Sequence, residues 1–82
     1  MRIAVISLVL DEPKKVQKEV NEVISSYKDI IRGRMGLPLD RENVSIISIA
    51  VIGEADTINA FTGRLGKIDH VQVKTSFSKK EI

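Results

Sequence analysis

The chain has 82 residues, no cysteine, and 13 basic against 11 acidic side chains, for a formal net charge of +2. That length allows one domain, which buries only roughly 60 to 65% of its unfolded surface; the missing cysteines exclude a disulfide framework and a thiolate metal site, and the slight basic excess is no nucleic-acid footprint by itself. The longest apolar run is far short of the roughly 20 residues that span a bilayer, and no segment resembles a signal peptide, so a soluble cytoplasmic protein is expected.

The first element is the run Ile3-Ala4-Val5-Ile6-Ser7-Leu8-Val9-Leu10. It lacks the polar alternation of a half-exposed strand and reads as a strand buried on both faces. Asp11-Glu12-Pro13 then supplies a helix start, with an acidic cap candidate and a proline suited to the first turn. Val16, Val20, Val23, Ile24 and Tyr27 recur at helical spacing, while Lys14, Lys15, Lys18, Glu19 and Glu22 fill the solvent side.

From Asp29 to Leu37 the period changes to two, with Ile31, Gly33, Met35 and Leu37 on one face and Ile30, Arg32, Arg34 and Gly36 on the other. Two glycines and Pro38 at its end assign this strand to a sheet edge. Leu39 to Asn43 turns into a second apolar run, Val44 to Ile52, of the same character as the first. Gly53-Glu54-Ala55-Asp56 opens a second helix whose inner stripe is Ala55, Ile58, Phe61, Thr62 and Leu65, with Gly66 as a terminator that permits positive φ. The last strand, Ile68 to about Phe77, alternates Val71, Val73, Thr75 and Phe77 against His70, Gln72, Lys74 and Ser76. Residues 1–78 are expected to form the domain, and residues 79–82 a short polar tail with no partner inside the chain.

The sum is β-α-β-β-α-β, two βαβ units in tandem with right-handed crossovers and strand order 4-1-3-2. This is the α+β ferredoxin-like sandwich, a four-stranded antiparallel sheet with two helices on one face. Its central strands are the two apolar runs. On this reading Arg32 and Arg34 at one edge, and His70, Gln72 and Lys74 at the other, share the face away from the helices. So short a chain cannot cover both sides of the sheet. A second copy is therefore expected on the open side, as a homodimer or homotetramer, with Ile6, Leu8, Ile47 and Ile49 as interface candidates.

Catalytic chemistry finds little support. No Gly-Lys-Ser/Thr is present, no GxGxxG follows the first strand, and the turns before both helices are acidic, which opposes phosphate. His70 is the single histidine, so it cannot build an imidazole metal site alone. Ser7, Ser45 and Ser48 sit in apolar strands without a sequence-visible base. Tyr27, Phe61 and Phe77 fall in core stripes, and the central strands carry no aromatic platform for RNA. No catalytic residue, metal ligand or cofactor is assigned, and an enzyme is not expected. The charged residues with a candidate role are Arg32 and Arg34, as an interface rim or as an anion clamp. With Gly33 and Gly36 they define a candidate site for a small polar ligand at a subunit interface.

The segments Arg2-Ile3-Ala4-Val5, Ile31-Arg32-Gly33-Arg34-Met35-Gly36-Leu37-Pro38, Ile46-Ile47-Ser48-Ile49 and Thr62-Gly63-Arg64-Leu65-Gly66, leading to Val71-Gln72-Val73-Lys74, together resemble the iron-only hydrogenase system regulators. The resemblance covers Arg2 to about Ser76, and the paired glycine-arginine segments are its most specific part. It implies an ACT-like fold related in shape to the C-terminal domain of nickel-responsive repressors, and a role in regulating hydrogenase production or maturation. Those repressors hold metal through several histidines and a cysteine, so one histidine and no cysteine do not carry their nickel site over. The resulting expectation is a non-enzymatic regulatory homo-oligomer. The alternatives are a ligand-free interaction adaptor and a nucleic-acid binder using Lys14, Lys15, Lys18, Arg32 and Arg34 after dimerisation, although this chain alone is not expected to bind DNA.

Overall fold

The computed structural model describes residues 1–82. In chain order the elements are β1 (Arg2–Asp11), α1 (Pro13–Ser26), a 3-10 turn (Lys28–Ile30), β2 (Ile31–Leu39), β3 (Val44–Gly53), α2 (Ala55–Gly66) and β4 (Val71–Glu81). The two apolar runs become β1 and β3 and pair antiparallel without interruption, from Arg2 opposite Gly53 to Asp11 opposite Val44. β2 joins the free side of β3 and β4 the free side of β1, giving the order β2-β3-β1-β4. This is the expected ferredoxin-like, ACT-like arrangement.

Opposed residues in an antiparallel pair point to the same face, so the register assigns every side chain a side. Ala4, Ile6, Leu8 and Leu10 of β1, with Ile47, Ile49 and Val51 of β3, face the helices and are buried. Val16, Val20, Val23 and Ile24 of α1 and Ile58, Phe61 and Leu65 of α2 close over them to make one core. Tyr27 leaves the end of α1 and stacks on Phe61, ring centroids 4.7 Å apart and planes 24° from parallel. Offset stacking of this kind adds to the large apolar burial of the two rings. No helix is long and apolar enough to cross a membrane.

Three expectations are corrected here. Ile6, Leu8, Ile47 and Ile49, the interface candidates, lie in the protomer's own core. Their parity directs them under the helices, and the neighbouring positions of opposite parity form the uncovered face. Lys79, Lys80 and Glu81 belong to β4, where Glu81 opposes Arg2 and the Ile82 N–H donates to the Met1 carbonyl at 3.0 Å. A polar composition hid this strand end because an edge strand can expose charged side chains. Gly66 ends α2 without positive φ, a conformation found instead at Glu12, Asn43 and His70.

Two glycines, Gly53 at the end of β3 and Gly63 inside α2, should respond oppositely to a methyl group. A Cβ at Gly53 would lie 2.9 Å from Cγ2 of Ile30, whereas one at Gly63, inside α2, meets nothing within 4 Å. Gly53→Ala is therefore expected to destabilise the fold by about 1–3 kcal/mol, because the branched Ile30 has no flexible end to withdraw. Gly63→Ala should stabilise it by about 0.4–1 kcal/mol through the unfolded chain's lost freedom. Phe61→Ala should cost about 3–5 kcal/mol, removing both the buried ring and the Tyr27 stack. Denaturant titration followed by circular dichroism reads all three.

Candidate functional site

β2 is the strand least covered by the rest of the molecule: only Ile31 and Leu39 at its ends are half-buried, and every residue between them is exposed. Its pairing with β3 slips once, since Ile31 opposes Val51 but Gly33 opposes Ala50. Arg32 is the extra residue of this bulge. A bulge of one residue reverses the face of everything after it. Arg34 and Gly36, opposite Ile49 and Ile47, consequently lie on the helix side, while Gly33, Met35 and Leu37 lie on the open side.

This corrects the expectation that Arg32 and Arg34 form a pair on the face away from the helices. The structure separates the four ligand candidates: Arg34 and Gly36 border a cleft against α1, Gly33 is on the opposite face, and Arg32 is in the bulge. The cleft, of about 240 Å³, has Leu10 and Ile47 at its base and Gln17, Asn21 and Ser45 on its walls. Arg34 Nη2 donates to Asn21 Oδ1 at 3.3 Å, spanning from the edge strand to the helix. No acidic side chain lines the cleft. Gln17, Asn21 and Ser45 were absent from the sequence-based site because only the strand register brings them beside Arg34.

The open face of the sheet runs across all four strands in rows set by the register. One row is Gly33, Ala50, Val5 and Ser76; the next is Met35, Ser48, Ser7 and Lys74; the third is Leu37, Ile46, Val9 and Gln72. Large apolar side chains stand in solvent here: Val5 is 44% exposed, Met35 72%, Leu37 56% and Ile46 37%. The apolar part covers β2, β3 and β1, and polar residues of β4 border it. Gln72 and Lys74 occupy the face expected of them. The sequence reading missed this face, although Ser7, the one polar residue within the first apolar run, marks the parity directed away from the helices.

At the far end of the sheet, three non-glycine residues with positive φ meet: Glu12 at 50°, Asn43 at 55° and His70 at 69°. The Asp11 N–H donates to the His70 carbonyl at 2.7 Å and the Glu12 N–H to the Asn43 carbonyl at 3.0 Å, so backbone bonds hold the three turns together. Glu12 also pairs with Lys15 at 3.3 Å and with His70 Nδ1 at 3.7 Å. These partners are largely exposed, and pairs of this kind contribute little to stability. No three of the His, Asp and Glu side chains gather as a metal site.

Comparison with known proteins locates this architecture. The structure of the uncharacterised protein TM1266 from Thermotoga maritima superimposes with a TM-score of 0.91 at 35% sequence identity, over 95% of this chain and 98% of that one. The C-terminal domain of the MgtC protein from Mycobacterium tuberculosis reaches 0.62 over 96% of this chain and 89% of its own, and at 14% identity it shares the fold. No curated protein matches the sequence. Residues 2–75 match the family model of the TM1266-like proteins, described as "Iron-only hydrogenase system regulator, putative", and the chain belongs to that family.

Proposed function

We propose that the chain is a cytoplasmic, non-enzymatic regulatory domain of an iron-only hydrogenase system, working as a homo-oligomer through the open face of its sheet and responding to a small polar ligand. The regulatory part of this reading rests on the family description. The observation that carries the assembly is the patch of exposed apolar side chains, Val5, Met35, Leu37 and Ile46, on a sheet whose other face is already closed by helices.

Magnitudes favour a second copy as the covering partner. Four strands about 4.8 Å apart, each rising about 3.3 Å per residue over ten residues, present a face of roughly 600 Å². A stable interface takes roughly 600–1,000 Å² from each partner, so this one face is sufficient. A two-fold arrangement also places the apolar strip of one copy on the same strip of the other, with the polar β4 border toward water. The interface has no strongly basic character, which argues against nucleic acid as the occupant.

The wild-type chain is expected to scatter light as a dimer or tetramer at micromolar concentration. Val5→Glu combined with Leu37→Glu should yield a folded monomer, because both side chains stand outside the core; Ile6→Asp or Ile49→Asp should abolish folding by placing a charge within it. A monomeric wild type, or an intact oligomer in the double variant, refutes the assembly. For the regulatory role, the measurement is hydrogenase abundance and activity in cells of the source organism with and without the chain. A change in either is expected under inducing conditions. Unchanged levels of both would refute the role.

A further inference from the structure

We infer that the cleft between α1 and β2 binds a small organic carboxylate, held by Arg34 within a single subunit. This assignment rests on the proposed reading of the chain as a ligand-responsive regulatory domain, and supplies the class and place of the ligand. It also moves the site from the subunit interface to the helix side of the sheet.

The charge of the cleft is carried by one guanidinium. Arg34 makes no ion pair; its hydrogen bond goes to the neutral amide oxygen of Asn21 at 3.3 Å, at the outer limit of such contacts. That bond uses one of five donors and orients the planar group, leaving most of its fork free. A carboxylate matches the fork with two parallel N–H···O bonds of about 2.8 Å, roughly twice as strong as neutral ones.

The remaining walls select among anions. Gln17 and Ser45 supply uncharged hydrogen-bonding groups beside Arg34, and the buried Leu10 and Ile47 supply an apolar base. Gly36 keeps the space between them open, since a Cβ there would meet nothing within 4 Å. The volume of about 240 Å³ suits a short chain and falls below the roughly 300–1,000 Å³ of drug-sized sites. Inorganic phosphate, with greater charge and no apolar part, finds one cation and an apolar floor. An amino acid would bring an ammonium beside Arg34 with no carboxylate in the lining to pair its charge, only the neutral oxygens of Gln17, Asn21 and Ser45.

The test is an NMR titration of the full-length chain with sodium butyrate, L-2-aminobutyrate and inorganic phosphate as separate probes. Butyrate is expected to give saturable shifts at the side-chain amides of Asn21 and Gln17 and at the Gly36 N–H. Arg34→Gln should weaken butyrate binding roughly tenfold or more, the worth of charged hydrogen bonds, and Arg34→Lys should recover only part of it. Gly36→Val should also weaken it by filling the cleft, and Arg32→Gln should leave it unchanged. L-2-Aminobutyrate should bind more weakly than butyrate, and phosphate should not saturate. The assignment is overturned by a failure of butyrate to saturate, by undiminished binding in Arg34→Gln, by an equal loss in Arg32→Gln, or by phosphate or L-2-aminobutyrate binding as tightly as butyrate. Light scattering on the same samples separates the two proposals: an intact oligomer without butyrate binding counts against the cleft, and a monomer that binds butyrate counts against the assembly.

Discussion

The ten-residue antiparallel pairing of β1 with β3 is the constraint on which the molecule depends. Because side chains alternate along a strand with a period of two, one register distributes the apolar residues of both runs between two faces at once. Ile6, Leu8 and Ile49 go beneath the helices, while Val5, Val9 and Ile46 go to the other side. The helices follow from this division: their apolar stripes have one surface to cover, and two helices suffice to cover it. Neither helix covers the second surface. An apolar pair at the sheet centre thus produces both a stable core and an unsatisfied face from the same hydrogen-bond ladder.

Edge strands give the two sides of this sheet different chemistry. β4 presents Gln72, Lys74, Ser76, Lys79 and Lys80 along an outer edge, a composition that discourages further strands from adding there. β2 carries Met35 and Leu37 on the open face and Arg34 and Gly36 on the other, so one strand contributes to both the apolar patch and the cleft. Its glycines and its bulge weaken it as a structural strand. Those features fit a strand whose task is to present groups to other molecules rather than to carry the core.

The end of the sheet where Glu12, Asn43 and His70 meet shows how local strain is accommodated. Left-handed conformations cost non-glycine residues roughly 1–2 kcal/mol each. Here the backbone bonds Asp11 to His70 and Glu12 to Asn43 join the three turns into one unit, so that each conformation is supported by a neighbour from another part of the chain. The entry of α1 depends on this unit. Glu12 precedes the helix with no side-chain cap bond, and Pro13 occupies the first turn, where its missing N–H costs nothing.

Much of the architecture was legible in the order of residues because helical and strand periods differ and are local. Val16, Val20, Val23 and Ile24 announce a helix wherever the chain places them, and two long apolar runs in a β-α-β-β-α-β order leave few topologies other than the observed one. The edge position of β2 was equally legible from its glycines and proline. What alternation could not supply was its phase relative to the neighbouring strand. A single extra residue at Arg32 moved Arg34 and Gly36 to the helix side and Met35 and Leu37 to the open side, and no local pattern marks where such a bulge falls. For the same reason Ile6, Leu8, Ile47 and Ile49 were assigned to an interface when they belong to the core, and the polar residues after Ser78 did not read as a strand. Period and composition are properties of a segment; face, register and pairing belong to two segments together, and only the tertiary structure brings them into contact.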